Sequence, residues 1–391
     1  MRRIAIVIAA MVTFMVFAST VQAATPAEIQ LSIDSGLAWL ARQQSDIDSS
    51  WGTSDKVAHT GLAVKKFEHF ALFGDPEHPI NPLDPTYIYY KQVKGGLNYL
   101  FSQAAIMSSL PKQTHDLVED NPDPDGDGGV YFLGGGDRKI YETSIALMAI
   151  AESDCRDSLV EKVGSDVYGQ SYKDVAQDIV DYLAFGQCDA GNGRGGWRYD
   201  PNEQSDFSVT GYAYIGLAYA EAAKPDGFDL TIPEFVKKEV KYWQDYAQCA
   251  VSGGTGDDGG AGYMSPCSIV NLLKTGNWLL GDAFCGSPDP GDLNRALAYI
   301  ARTWSSPTPS PGWFNSWQAT YCLMKGFEFH GYSNLIPGPT PGSTIDWYQE
   351  FADAILAAQI DIYGGLPDRG SWNNCESYGG GIPSYVPNGR F

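Results

Sequence analysis

The sequence predicts an all-α fold, an α/α toroid of five to six helical hairpins, and three observations carry that expectation. A short aliphatic–aromatic pattern recurs at steps of about 60 residues, within the range of repeat architectures. A glycine-rich loop with an aromatic ring follows each copy. Segments rich in small residues come after the loops, and small residues on most faces suit a helix crowded on all sides.

The pattern reads Leu37-Ala38-Trp39-Leu40, Leu97-Asn98-Tyr99-Leu100, Val180-Asp181-Tyr182-Leu183, Val240-Lys241-Tyr242-Trp243 and Leu297-Ala298-Tyr299-Ile300, with a weaker sixth copy at Ile355-Leu356-Ala357-Ala358. Apolar neighbours extend the copies at helical spacing, as in Ile33, Leu37 and Leu40, so each predicts one amphipathic helix. The step from Leu97 to Val180 is the longest. The loops read Ser50-Trp51-Gly52, Gly128-Gly129-Val130-Tyr131, Gly195-Gly196-Trp197, Gly260-Ala261-Gly262-Tyr263, Pro311-Gly312-Trp313 and Gly370-Ser371-Trp372. Glycine permits the tight turn, and the ring fills the space between neighbouring helices. Thr60-Gly61-Leu62-Ala63, the run from Thr143 to Ala149, and Thr210-Gly211-Tyr212-Ala213-Tyr214 then predict inner helices. No segment of strand period and useful length competes.

At about 150 residues per domain, 391 residues would suggest two or three domains. Hairpins that stack into one core predict instead a single toroid domain over 24–372. After Trp372 the expected sixth inner helix is missing, and 373–391 reads as an irregular tail. The expectation is a chain that stops short of its last helix; the alternative is a ring closed by other means.

Residues 1–23 read as a secretory signal peptide. Arg2 and Arg3 precede an apolar run from Ile4 to Phe17, and Val21 and Ala23 stand at the −3 and −1 positions. The run is short of the roughly 20 residues a spanning helix needs. Cleavage after Ala23 would take the formal charge from −21 to about −23. The expected location is secreted, periplasmic or cell-surface, with no membrane contact after cleavage. Lys+Arg 26 against Asp+Glu 47 is a poor balance for holding a phosphate backbone, so no nucleic-acid partner is expected. Hydrophobic residues at 43% and charged residues at 19% exclude disorder. Seven cysteines suit an oxidising compartment. Cys322 reads as a buried thiol, and two or three disulfides are expected among the rest. None forms a CxxC pair, which leaves zinc knuckles and thioredoxin chemistry without support.

Gln43-Gln44 ahead of Ser50-Trp51-Gly52, Gln187 ahead of Gly195-Gly196-Trp197, and Gln359 ahead of Gly370-Ser371-Trp372 resemble glutamine–tryptophan motifs. Those motifs mark the terpenoid cyclase and protein prenyltransferase repeat superfamily, of squalene–hopene cyclase type. The segment Gly195-Gly196-Trp197-Arg198-Tyr199-Asp200-Pro201, continuing through Asp206 to Gly211, is similar to secreted prokaryotic repeat proteins of unassigned function. The resemblance runs roughly from Ile29 to Trp372 and implies the toroid. The superfamily's chemistry does not carry over residue by residue. The chain has no Asp-x-Asp-Asp acid of terpene cyclases and no Asp, Cys and His zinc constellation of prenyltransferases. Cys285-Gly286-Ser287-Pro288 departs from the thioester Cys-Gly-Glu-Gln of complement-type toroids.

Asp123-Pro124-Asp125-Gly126-Asp127-Gly128 matches the first half of an EF-hand-type loop, with Asp123, Asp125 and Asp127 as metal ligands offering hard oxygens to a structural calcium ion. Gly134 stands at the twelfth position in place of the bidentate glutamate, so a solvated acidic turn is equally open. Asp257-Asp258 reads as a plain acidic turn. In a toroid the starts of the inner helices ring one mouth of the central funnel. His59, Glu142 and Asp206 are the candidate catalytic residues there, and Tyr141, Thr210, Tyr212, Trp317 and Gln318 the candidate ligand contacts. The plainer reading has Asp206 and Thr210 capping a helix and His59 packed in a first turn. Arg194, Arg198 and Tyr199 bracket Trp197, but Asp200, Glu203 and Asp206 favour internal ion pairs over a ligand clamp.

Three functions follow. The first is a protein that binds an extracellular ligand, polysaccharide or lipid-like, in an aromatic funnel. The second is a secreted carbohydrate-active enzyme, a lyase or hydrolase working at the funnel mouth. The third is a divergent terpenoid cyclase-like enzyme, against which the missing Asp-x-Asp-Asp and the export signal weigh.

Overall fold

The computed structural model describes residues 23–251, 253–254, 256–286, 289–308, 310–360 and 370–372. The expected signal segment up to Gln22, the tail from Asn373 and Cys375 lie outside them. Eleven α-helices occur among the described residues. Helices α1 (Pro26–Arg42) and α2 (Lys56–Phe73) form the first hairpin, and α3 (Tyr90–Ser102) and α4 (Lys139–Glu152) the second. The third is α5 (Tyr172–Gly186) with α6 (Phe207–Glu221), and the fourth α7 (Glu234–Ala247) with α8 (Leu272–Phe284). The fifth is α9 (Pro290–Thr303) with α10 (Trp317–Phe329), and α11 (Trp347–Ala358) closes the series. Odd-numbered helices lie outside, and all six copies of the repeated pattern fall on them. Even-numbered helices pack in sequence as an inner ring, α2 on α4, α4 on α6, α6 on α8 and α8 on α10. The fold is an all-α toroid with five inner helices among the described residues.

Local chemistry starts the helices where the sequence places them. Thr25 and Glu28 form a capping box on α1, with Pro26 in the first turn. Ser171, Asp206, Asn271 and Ser316 cap α5, α6, α8 and α10 through their side chains. Helix α4 is buried from Ile140 to Glu152, which is why it carries small residues on every face. Between α8 and α10 a Cβ on Gly276 would stand 2.6 Å from the backbone of Cys322, so that crossing requires glycine.

One hydrogen-bond device ties the first hairpin to the second, the third to the fourth and the fourth to the fifth. Gln44 Nε2 donates to the carbonyls of Ser49 and Gln92, at 3.0 and 3.1 Å. Gln187 does the same to Gly195 and Val236, at 2.9 and 3.0 Å, and Gln248 to Gly259 and Asp292, at 3.2 and 2.9 Å. In each case the first carbonyl belongs to the glutamine's own loop and the second to the next outer helix. The indoles of Trp51 and Trp197 fill those loops, donating to the carbonyls of Leu40 and Leu183 at 2.8 Å. From the inner helices, the hydroxyls of Thr60, Thr143, Thr210 and Thr275 accept the N–H groups of Trp51, Phe132, Trp197 and Ala261.

The long second step of the repeat is an insertion between α3 and α4. There β1 (Ala104–Met107) pairs antiparallel with β4 (Gly129–Phe132), and β2 (Gln113–His115) with β3 (Val118–Asp120). A third pair, β5 (Leu335–Pro337) with β6 (Thr344–Asp346), leads into α11. Strands of three or four residues are too short for a period of two to register, so the sequence did not predict them. Cys249 and Cys267 form one disulfide in the α7–α8 loop. Cys155, Cys188 and Cys322 are buried thiols and Cys285 is half-buried, so the described residues hold fewer disulfides than the two or three expected. Among the described residues no helix is long and apolar enough to cross a membrane.

Candidate functional site

At the end of the ring where the inner helices start, the residues singled out by the sequence are tightly packed. Asp206 Oδ1 accepts from the N–H groups of Ser208 and Val209, at 2.8 and 2.9 Å, as the N-cap of α6. Thr210 Oγ1 accepts from Trp197 N–H at 2.8 Å and donates to the Trp197 carbonyl at 2.9 Å. Glu142 accepts from Gly134 N–H at 2.8 Å. His59 is buried, with the backbone of Ser54 and the carboxylate of Asp55 beside its ring. Tyr141 and Tyr212 meet edge to face, with centroids 4.9 Å apart. Trp317 is buried and Gln318 half-buried in the first turn of α10. Burial pushes the Glu142 carboxyl up to about 7 and that of Asp206 up to about 6, and pushes the His59 imidazole down. Arg194 is held by Glu239 and, at 2.9 Å, by Asp116, and Arg198 pairs with Glu203 at 2.9 Å.

The opposite end, where the inner helices finish, opens into a cavity of about 660 Å³. Its walls are largely aromatic, with Tyr219, Phe329, Tyr332, Trp347 and Tyr348, and its polar residues include His69, Glu152, Asp226, Lys325 and Glu328. None of the eight residues above touches it. Glu152, the last residue of α4, is only 1% exposed. Its Oε1 lies 2.8 Å from His69 Nδ1, and its Oε2 takes the ammonium of Lys65. Lys65, equally buried, also donates to Tyr219 Oη at 3.0 Å. A chain His69–Glu152–Lys65–Tyr219 thus crosses three consecutive inner helices.

The electrostatics of the chain are directional. Burial alone would raise the Glu152 carboxyl, but Lys65 and His69 outweigh it and hold it at about 2. Burial pushes the His69 imidazole down, against the pull of Glu152, and keeps it neutral near pH 7. An ionised Glu152 can only accept, so Nδ1 carries the ring proton and Nε2 keeps its lone pair. The His69 side chain is 24% exposed. A neutral imidazole fixed by a buried carboxylate on a cavity wall is a base with its orienting group, and the Tyr219 phenol is a hydroxyl that can give a proton. The sequence reading passed over His69. Its signal was Lys65, a cation in the middle of a helix otherwise built to be buried, which demands a buried partner.

His69 also borders a second cavity of about 490 Å³ between α1, α2 and α11, with Ile33, Leu37, Phe70 and Ile355 among its apolar walls. That sector of the ring has no inner helix among the described residues. At the outer helices, the exposed Asp125 and Asp127 come together with the buried Asp123 and, from α5, the buried Asp181, one carboxylate oxygen from each lying within 4.8 Å of the others.

Fold and site together describe a helical toroid in which a buried His69–Glu152–Lys65–Tyr219 chain borders a cavity at one end of the ring. No protein-family model matches the chain, and no curated protein matches it in sequence. Among solved structures, that of cellobiose 2-epimerase from Bacillus thermoamylovorans B4167 is similar, with 12% identity and a TM-score of 0.49 over 89% of this chain and 90% of that one.

Proposed function

We propose that the protein is an exported toroid that holds a neutral saccharide in the mouth cavity and moves protons on it, with His69 as base and Tyr219 as acid. The observation that carries this reading is the buried chain His69–Glu152–Lys65–Tyr219, which orients one basic nitrogen and one phenol at the same cavity. Aromatic faces interleaved with carboxylates suit a sugar, whose C–H face stacks and whose hydroxyls donate. Lys65 and Lys325 stand against Glu152, Glu328 and Asp226, so there is no excess positive charge for a polyuronate. This favours the carbohydrate-active reading over plain ligand capture. The glutamine–tryptophan lattice supports kinship with the cyclase and prenyltransferase repeats, but Glu152, held ionised, is no acid for an alkene.

Export is supported by the disulfide and by Ala24, the first residue after the expected cleavage point. Its backbone nitrogen donates to Asp353 Oδ1 at 2.7 Å, so the ammonium that cleavage creates would meet a carboxylate. The test is a panel of neutral mono- and oligosaccharides, read by tryptophan fluorescence for binding and by NMR in D₂O for exchange or conversion at sugar carbons. His69→Asn and Tyr219→Phe are expected to lower turnover by about 10²-fold or more while binding persists. Tight binding without turnover in wild type would favour the binding protein, and neither binding nor turnover would sink the proposal.

A further inference from the structure

We propose that Asp123, Asp125 and Asp127 of the β3–β4 loop and Asp181 of α5 form a calcium site that ties the inserted hairpins to the third outer helix. The loop is preset for it. Asp123 accepts the N–H groups of Gly126 and Gly128 through its two oxygens, at 2.8 and 3.1 Å, and both glycines take the left-handed backbone, with φ of 83° and 104°. A Cβ on Gly128 would collide with the carbonyl of Met107, so the turn has little room to relax.

Asp181 makes this more than an acidic turn. Its side chain is fully buried, and its Oδ1 accepts from Gln177 Nε2 at 3.1 Å. Its Oδ2 is buried with no hydrogen-bond donor among the described residues, yet Asp181 belongs to the same 4.8 Å carboxylate group as the three loop aspartates. A solvated turn has no need of an orphaned acceptor beneath it, and an unpaired buried carboxylate is costly. A cation among the four supplies the missing partner. The donor set is all carboxylate oxygen, with no thiolate or imidazole, which selects a hard ion. Calcium tolerates irregular oxygen cages, whereas magnesium demands a near-ideal octahedron and keeps its waters. The carboxylate that the linear motif lacks at Gly134 is provided from α5. Because β4 packs on α5 and hands Phe132 to Thr143 of α4, the ion would also anchor the entry to an inner helix.

The experiment titrates CaCl₂ into chelator-treated full-length protein by calorimetry, with thermal melting alongside. One saturable event is expected, with Kd on the order of 10⁻⁴–10⁻³ M, the range of extracellular calcium modules. A tenfold excess over that Kd should raise the melting temperature by about 2 °C. Asp181→Asn and the exposed-loop variant Asp125→Asn should each weaken binding about tenfold or more; Asp125 is exposed, so its variant folds even if Asp181→Asn does not. Absence of calcium heat with unchanged melting in the wild type overturns the proposal. So does undiminished binding in Asp125→Asn together with any folded Asp181→Asn, because the ion would then sit elsewhere.

Discussion

Gln359 donates from Nε2 to the carbonyl of Ser32 at 3.0 Å, and so joins the last outer helix to the first. Its second bond goes to Gly370 in its own loop at 3.1 Å, the same pair of bonds that Gln44, Gln187 and Gln248 make between neighbouring hairpins. Trp372 completes the joint by donating to Ile355 at 3.0 Å and lying over Gly36, where a Cβ would run into the indole. The ends of the ring are therefore locked by the repeat's own device, with no sixth inner helix among the described residues.

Breaking that lock should cost stability in proportion to what is left unpaired. Gln359→Ala strands the carbonyls of Ser32 and Gly370 beneath a half-buried side chain and should lower the unfolding free energy by about 1–2 kcal/mol in urea titration. Gln187→Ala, in a fully buried setting, should cost more, about 2–3 kcal/mol. Losses below about 0.5 kcal/mol for both, the size of a surface change, would refute the lattice as a source of stability.

Legibility followed the physics of each element. The outer helices were readable because six copies repeat one apolar stripe, as at Leu37 and Val240. The loop register was less so. Threonine hydroxyls fix it by accepting a backbone N–H, which any residue can supply, so Phe132 and Ala261 occupy the place that the aromatic rule gave to Tyr131 and Tyr263. The mouth site was hidden because His69, Glu152 and Tyr219 sit at the ends of three helices and meet only when the ring closes. Of the metal motif, Asp123, Asp125 and Asp127 were visible in a line, and Asp181 was invisible until α5 packed on β4.

The Cys249–Cys267 disulfide closes a loop of 18 residues in sequence, and a cross-link of that span stabilises by about 3 kcal/mol through the unfolded chain. Replacing both cysteines by serine should lower the unfolding free energy by about that amount and, because the unfolded chain loses its cross-link and expands, raise the dependence on denaturant. An unchanged midpoint after reduction would contradict the assignment.

Processing at Ala23 can be read directly. If the chain is exported as proposed, its intact mass should correspond to a start at Ala24, whose new ammonium would stand where the backbone nitrogen now donates to Asp353 Oδ1. A mature chain beginning elsewhere would remove the pairing.

The mouth site makes stability acid-sensitive with a defined sign. Glu152 sits at about 2 when folded against an ordinary 4.5, so its contribution is complete above pH 4.5 and is lost as pH falls toward 2. His69 is lowered by burial from 6.5, so the unfolded chain binds its proton first and stability also declines below pH 6.5. Turnover that needs neutral His69 should be level at pH 7 and fall on an acid limb below 6.5. An acid limb above that value would exclude His69 as the base.

Lys65 and Glu152 should behave as one unit. Lys65→Met leaves the buried Glu152 carboxylate with His69 as its hydrogen-bond partner but without its closest cation, and Glu152→Gln leaves the buried ammonium hydrogen-bonded to Tyr219, with the buried Glu68 carboxyl as a further neighbour; each should cost about 3–5 kcal/mol. The double variant Lys65→Met/Glu152→Gln replaces the pair by neutral groups of similar volume. It should recover much of the loss, giving a coupling energy above about 1 kcal/mol in a double-mutant cycle. It also separates fold from chemistry. The ring survives, but His69 loses the ionised partner that fixes its tautomer, so turnover should stay low where stability returns. Recovery of both together would mean that the chain His69–Glu152–Lys65 holds the helices without orienting a base.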